Sequence, residues 1–331
     1  MYNLKVLVTG ATGFLGSHLT RRLIRAGHEV TILRRPTSDI SPLDALSLHH
    51  VIGDITEVEA VNRAVEGNNY VIHAAAHIAY WRNHRAIQTR INVEGTRNVV
   101  NACKQRGVKR LLHVSSVAAI GIPAQADCPA DETFSFNLGQ SKLNYHISKY
   151  LAEQEVLKEA QNGLDAVVVN PGSIFGPFIN RFRGGEMIDK IRRSKIVPYF
   201  LGGICAVHVD DVVDGSLKAL WHGRKGERYI LGGENILFRR IAELAAQYLK
   251  LKRVFVPVPS LVTGLAAGIS EPIGVLAEIR PRITYEVHYC ASRCHFYDST
   301  KAIKELHYKP RAFADIVKAY ITPQALCKNS E

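Results

Sequence analysis

Three features of the sequence predict an α/β fold built on a parallel sheet covered on both faces. Short β-branched runs alternate with helical segments of about ten residues or more through the first half of the chain. A glycine-rich junction joins the first strand to the first helix. No internal repeat or low-complexity linker interrupts the order.

The elements follow one another regularly. "KVLVTG" is a β-branched run ending in glycine, and "FLGSHLTRRLIRAG" has helical periodicity with a glycine stop. "EVTILRR" and "HHVIGD" read as the second and third strands, and "EVEAVNRAVEG" as the helix after them. "NNYVIHAAA" is the fourth strand, followed by a long helix through "NVEGTRNVVNACKQRG". "VKRLLHVSS" is the fifth strand, "SKLNYHISKYLAEQEVLKEAQNG" a helix and "LDAVVVNPG" the sixth strand. Strands that carry apolar residues on consecutive positions belong in a sheet buried on both sides.

After Pro171 the alternation lapses. "HVDDVVDGSLKALWHG" and "GERYILGG" are expected to return a helix and a strand to the sheet. Residues 1–171 and about 205–233 then form a dinucleotide-binding domain. Residues 172–204 and 234–331 form a smaller α/β substrate lobe, with the site at the junction, by the carboxyl ends of the strands.

Composition narrows the function classes. The six cysteines (Cys103, Cys128, Cys205, Cys290, Cys294, Cys327) are scattered without a CxxC pair, which points to reduced thiols and a cytoplasmic protein. "HYCASRCH" brings two His and two Cys together but lacks the paired spacing of a zinc site, so no metal is expected. The start of the chain reads as a strand, not a signal peptide. The apolar stretch over 254–279 is broken by Pro257, Pro259, Glu271 and Pro272. It cannot form the roughly 20-residue apolar helix that crosses a bilayer, which leaves only a peripheral membrane contact open.

The formal charge of +12 favours anionic partners. The densest basic run holds Arg181, Arg183, Lys190, Arg192, Arg193 and Lys195, and reads either as a solvated helix face or as a contact for an anionic substrate or a cofactor phosphate. No nucleic-acid-binding motif and no interleaved aromatic residues accompany it, so nucleic acid is not an expected partner.

"TGATGFLG" places Gly10, Gly13 and Gly16 between a strand and a helix. Glycines there allow a tight turn and a close backbone approach to a pyrophosphate facing the helix N-terminus. With the βα units that follow, this makes the fold a Rossmann-type, doubly wound sheet. Thr12, Phe14 and Leu15 complete the expected cradle. NAD is usually held by a carboxylate at the end of the second strand. Here the strand ends in Arg34 and Arg35, with Thr37 and Ser38 beyond, and Asp39 is the first acid. Two guanidinium groups suit a 2′-phosphate, so NADP(H) is favoured and NAD(H) is the alternative. Asp54 and Ile55 would flank the adenine, and Ala74, Ala75 and Ala76 the phosphates and ribose.

TGxxGxxG, "GDI", "HAAA", "NVEGT", "HVSS" and YxxxK, in this order, resemble the extended short-chain dehydrogenase/reductases. The likeness covers nearly the whole chain and runs on through "NPGSIFGP", "AVHVDDVVDG" and "GERYILGGEN". Within that superfamily the sequence is most similar to the dihydroflavonol 4-reductase-like and hopanoid-associated sugar-epimerase-like groups. The resemblance implies that Tyr145 is the acid/base and Lys149 its partner. Spacing of i and i+4 sets both on one helix face. Lowering a phenol pKa from near 10 by about three units needs roughly 4 kcal/mol of preferential stabilisation of the phenolate. An adjacent ammonium, together with an oxidised nicotinamide, is a source of that stabilisation.

By the same resemblance Ser115, at the end of the fifth strand, is the triad serine, with Ser116 the alternate. Asn92 lies near the cofactor, though it would serve equally to cap or kink its helix. Pro171, Gly172 and Ser173 lie against the nicotinamide, and His73 packs at a strand end. Tyr80, Trp81, Phe136, Asn137 and Phe178 are candidate substrate-lining residues.

Three functions fit. The first is an NADPH-dependent reductase of a small ketone or aldehyde, with an anionic substrate allowed. The second is a nucleotide-sugar epimerase or dehydratase that retains NAD. The third is a cofactor-sensing protein that binds NADP without turnover. A homodimer through a four-helix interface, built from the helices around 88–107 and 140–160, is the expected assembly.

Overall fold

A computed structural model describes residues 3–322 apart from 180 and 282. Cys327 and the end of the predicted lobe lie outside the described residues.

In chain order the elements are β1 (Lys5–Thr9), α1 (Phe14–Arg25), β2 (Glu29–Arg34), β3 (His49–Ile52), α2 (Val58–Val65), β4 (Tyr70–His73), α3 (Arg85–Gln88), α4 (Gly95–Gln105), β5 (Arg110–Val114), α5 (Asn144–Gln161) and β6 (Ala166–Pro171). There follow β7 (Ser173–Phe178), β8 (Arg181–Arg183), α6 (Gly185–Arg193), β9 (Ile196–Phe200), β10 (Gly203–His208), α7 (Val209–His222), β11 (Arg228–Leu231), β12 (Glu234–Leu237) and α8 (Phe238–Tyr248). The last are β13 (Val254–Val258), α9 (Ser260–Leu276), α10 (Tyr285–Ala291), β14 (Cys294–His295), α11 (Thr300–Leu306) and α12 (Phe313–Ile321).

Seven strands form one sheet in the order β11-β6-β5-β4-β1-β2-β3, and every pairing in it is parallel. Side chains alternate between faces with a period of two, and both faces are buried. Val6, Val8, Ile32, Ile72, Leu112 and Val169 pack under α1, α7 and α11. Leu7, Leu33, Val71, Leu111 and Val168 pack under α2, α4 and α5. This is the doubly wound Rossmann-type sheet.

The second lobe holds the sheet β12-β10-β7-β8, with β14 added to β10, and a two-stranded ribbon of β9 and β13. Phe175, Phe182, Ile188, Ile191, Ile241, Phe313 and Ile316 form its core. The division of the chain differs from the expectation in two places. β10 belongs to the second sheet, since it pairs with β7, β12 and β14. Conversely α11 returns to the first core, where Ala302, Leu306 and Tyr308 pack beside α7 and β11. The chain passes between the sheets at Gly172 and again at Gly233. A Cβ at Gly172 would come 2.5 Å from Cys205 O, and one at Gly233 2.2 Å from Ala206 O.

Candidate active site

The glycine turn sits at the carboxyl end of β1. Gly10 has φ 72°, and a Cβ there would lie 2.6 Å from Ala75 N; a Cβ at Gly16 would lie 2.0 Å from Gly10 O. Neither position accepts a side chain, so the turn stays tight against the end of β4. Gly13 is the N-cap of α1, and no acidic residue stands in the first turn. Its N–H groups therefore face outward as an anion site. Ala74 and Ala75 are half-buried beside it and Ala76 is exposed. This cradle fits a dinucleotide pyrophosphate. Buried His73 bonds Thr9 Oγ1 (2.7 Å) and Thr96 Oγ1 (3.0 Å), which fastens β4 to β1 and α4.

At the end of β2, Arg34 Nε donates to His50 Nδ1 (3.0 Å), and Arg35 is exposed. Asp54 closes its own turn by accepting from Thr56 N and Oγ1, each at 2.9 Å. Ile55 is buried, and its side chain fills the space beside Gly95. Asn92 lies in a π-helical turn, Thr89–Glu94, ahead of α4. It is buried, its Oδ1 accepts from His77 N (2.7 Å), and its Nδ2 donates to His77 O (3.1 Å) and Ser148 Oγ (2.9 Å). Its amide therefore sets the loop after β4 against α5.

Tyr145 and Lys149 stand one turn apart on α5, both buried. The serine whose side chain acts on the Tyr145 phenol is Ser116. Ser115 extends the strand ladder through its N–H to Val169 O (2.8 Å), while its Oγ is buried without a partner. The sequence ranks Ser115 first with Ser116 as the alternate, and the geometry favours the alternate. Successive side chains in extended backbone point to opposite faces, so a shift of one residue moves the hydroxyl away. Ser116 also accepts from Ala118 N (3.1 Å), which caps the short turn after β5.

Burial pushes the Tyr145 phenol above its ordinary value, and Ser116 and the charge of Arg183 oppose that rise. The Lys149 ammonium donates to Val114 O (3.0 Å). Burial lowers its pKa to about 8, and Glu153, one turn on, pulls it back up. Glu153 is fully buried and is held by Asn170 Nδ2 (2.7 Å) and Arg228 Nη1 (3.0 Å). Asn170 Nδ2 also donates to Ser116 O (3.0 Å). One β6 amide thus fixes the serine's backbone and the partner of the lysine.

Sequence reasoning missed Glu286. The helix α5 begins at Leu143 with no side-chain cap. Its first N–H group is met from α10, where Glu286 Oε1 accepts from Asn144 N at 2.7 Å, with Tyr145 N close by. The uncapped leucine is the only trace of this in the sequence. Asn170, in "NPG", was likewise passed over.

Around Tyr145 the predicted lining residues divide. Tyr80 packs edge-on to Tyr145, ring centres 5.4 Å apart. Trp81 is buried against His84. Phe136 stacks on Tyr150 of α5 at 4.1 Å. Asn137 is spent on Ile122, accepting from its N (3.2 Å) and donating to its O (2.9 Å). Phe178 packs on Phe14 beside the glycine turn, 5.5 Å between ring centres. Arg183 lies over the Phe14 ring, 5.6 Å from its centre. Pro171 is buried, and Gly172 and Ser173 are half-buried at the crossing between the sheets.

Among the described residues no group of three or more His, Cys, Asp or Glu is placed to hold a metal. No described helix is long and apolar enough to cross a membrane.

A Rossmann-type sheet with a glycine cradle, and a tyrosine–lysine helix beside it, define an NAD(P)-dependent enzyme of the extended short-chain dehydrogenase/reductase type. A sequence profile of the NAD dependent epimerase/dehydratase family matches residues 6–232, and the chain belongs to that family. A putative dihydroflavonol 4-reductase from Synechocystis is 33% identical over 90% of this chain and 88% of its own length. Sterol demethylase protein B from Methylococcus capsulatus is 30% identical over 94% of this chain and 96% of its own. The crystal structure of gox2253 superposes with a TM-score of 0.82 at 36% identity, covering 99% of both chains.

Proposed function

We propose that the chain is an NADPH-dependent reductase of a ketone or aldehyde. The observation that carries the reading is that Tyr145 lies one turn from Lys149 on the buried face of α5, with Lys149 bonded to Val114 O (3.0 Å) at the end of β5, two residues before Ser116 and beside the glycine cradle. When bound, the cofactor supplies hydride to the carbonyl carbon. Tyr145 gives its proton to the carbonyl oxygen, and Ser116 Oγ steadies the charge that develops there. The upward displacement of the phenol pKa keeps it protonated at neutral pH, the form a reduction requires. Lys149, ionised below about 8, orients the cofactor ribose and supports the phenolate left behind.

Arg34 and Arg35, with no acid at the end of β2, favour the phosphorylated cofactor. Gly10, Gly13 and Gly16 with Thr12, Phe14 and Leu15 hold the pyrophosphate. Asp54, Ile55, Ala74, Ala75 and Ala76 border the adenosine half, and Pro171, Gly172 and Ser173 the nicotinamide. Tyr80, Phe136 and Phe178 offer aromatic walls. The charge of Arg183 reaches Tyr145 and Tyr80, which suits an anionic group on the substrate. Relatives named as reductases support the direction of the chemistry. We also infer a cytoplasmic homodimer through α4 and α5.

The test is the cofactor content of the freshly purified protein, followed by turnover of a panel of ketones, aldehydes and nucleotide sugars. Protein that arrives empty, prefers NADPH and consumes it stoichiometrically with a carbonyl supports the reductase, provided Tyr145→Phe abolishes turnover. Retained NAD, with sugar interconversion and no net change in absorbance, overturns it.

A further inference from the structure

The helix α9 packs one face and leaves an apolar stripe exposed on the other. Thr263, Ala267, Glu271 and Gly274 are buried at helical spacing. Thr263 Oγ1 bonds His288 Nδ1 of α10 (2.8 Å), and Ser270 Oγ donates to Ile283 O (2.5 Å). The other face carries a stripe of Leu261 (72% exposed), Leu265 (61%), Ile269 (64%), Ile273 (58%) and Leu276 (86%). An open groove of about 400 Å³ runs along its second half, between Ile269, Ile273 and the following Ile279 and Pro281. An exposed apolar stripe of this continuity marks an interaction surface.

Size and charge select the occupant. Seventeen residues at about 1.5 Å each give a stripe some 26 Å long and about 10 Å wide, or about 260 Å². The stripe matches the apolar face of a helix lying in the plane of a bilayer surface. The only ionisable residues between Arg253 and Arg280 are Glu271, turned into the protein, and Glu278. Exposed cations bracket the segment, with Lys250 and Lys252 before it and Arg280 after it. The ribbon that leads into α9 adds exposed Ile196 (62%) and Val254 (61%), paired in register, with Lys195 at the same end. The whole chain carries +12.

We propose that the exposed face of α9 docks on an anionic lipid surface. Its leucines and isoleucines enter the headgroup–acyl boundary, and Lys250, Lys252 and Arg280 lie at the level of the lipid phosphates. The docked lobe is the one whose α10 caps the helix bearing Tyr145.

The test is co-sedimentation of the full chain with vesicles of phosphatidylcholine alone or with about 30% phosphatidylglycerol. Wild type is expected to bind the anionic vesicles and to leave them as salt rises. The double variant Leu265→Glu/Ile269→Glu, which alters exposed positions only, should lose at least tenfold in binding with an unchanged melting temperature. Lys250→Glu/Lys252→Glu should lose about tenfold or more on anionic vesicles. Wild type that stays in the supernatant with both lipids overturns the proposal, as does binding that the first double variant leaves intact. A concentration-dependent dimer dissolved by Leu265→Glu/Ile269→Glu would overturn it by assigning the face to a second copy.

Discussion

Replacing Glu286 by glutamine should change how stability depends on pH. The carboxyl is buried, and it faces Asn144 N and Tyr145 N of α5, Glu271 of α9, and the neighbouring Tyr80 and Cys290. Burial pushes its pKa from 4.5 to about 7; the two N–H groups lower it and Glu271 adds to the rise. Because the folded pKa lies above the unfolded one, the folded state holds the proton more tightly. The resulting stability is complete below pH 4.5 and is lost as pH rises through about 7. At about 1.4 kcal/mol per pH unit, moving from 4.5 to about 7 amounts to about 3 kcal/mol. For a chain of this size that is roughly 5 °C in melting temperature.

Glutamine keeps the carbonyl that accepts from Asn144 N and has no charge to bury. Its NH₂ takes the place of Oε2, which has no partner, so a constant offset is expected. The informative quantity is the slope. Thermal unfolding of wild type and Glu286→Gln at intervals from pH 4.5 to 8 should show the difference moving in favour of the variant by about 3 kcal/mol. A difference that stays flat across that range would refute the reasoning.

Ser116→Ala should lower kcat about 100-fold with little change in KM, whereas Ser115→Ala should change neither by more than about threefold; steady-state kinetics on one carbonyl substrate compares them. Gly16→Ala should abolish cofactor binding, measured by calorimetric titration, because its Cβ would lie 2.0 Å from Gly10 O. Glu153→Gln removes the charge that raises the Lys149 pKa, so the alkaline limb of kcat/KM should move to lower pH. That variant should also lose about 3 kcal/mol or more of stability, since Arg228 is left without its carboxylate.

The sheet was readable because consecutive apolar residues in β1, β4, β5 and β6 must serve two buried faces at once, and glycine is the only residue that fits at Gly10 and Gly16. The Tyr145–Lys149 pair was readable because four residues make one helical turn. What was not readable depends on distance or on a single step of register. Ser115 and Ser116 differ by one position, and only the strand's pleat decides which of them faces the tyrosine. Glu286 lies far along the chain from the helix it caps, and no local pattern ties them together. The return of α11 to the first core was hidden because nothing in "TKAIKEL" says which sheet will receive it.

The passages of the chain between the two sheets have a mechanical consequence. The polypeptide leaves the first sheet at Gly172, comes back at Val209, departs again after Leu231, contributes α11 and then rejoins the second lobe as α12. The halves are laced, not tethered by one linker. A single proteolytic nick therefore releases neither half. Exchanging the substrate lobe for that of a relative means replacing several separate segments together. Any opening that admits substrate must bend all the lacings in concert, which favours a small, stiff rocking motion over a wide swing.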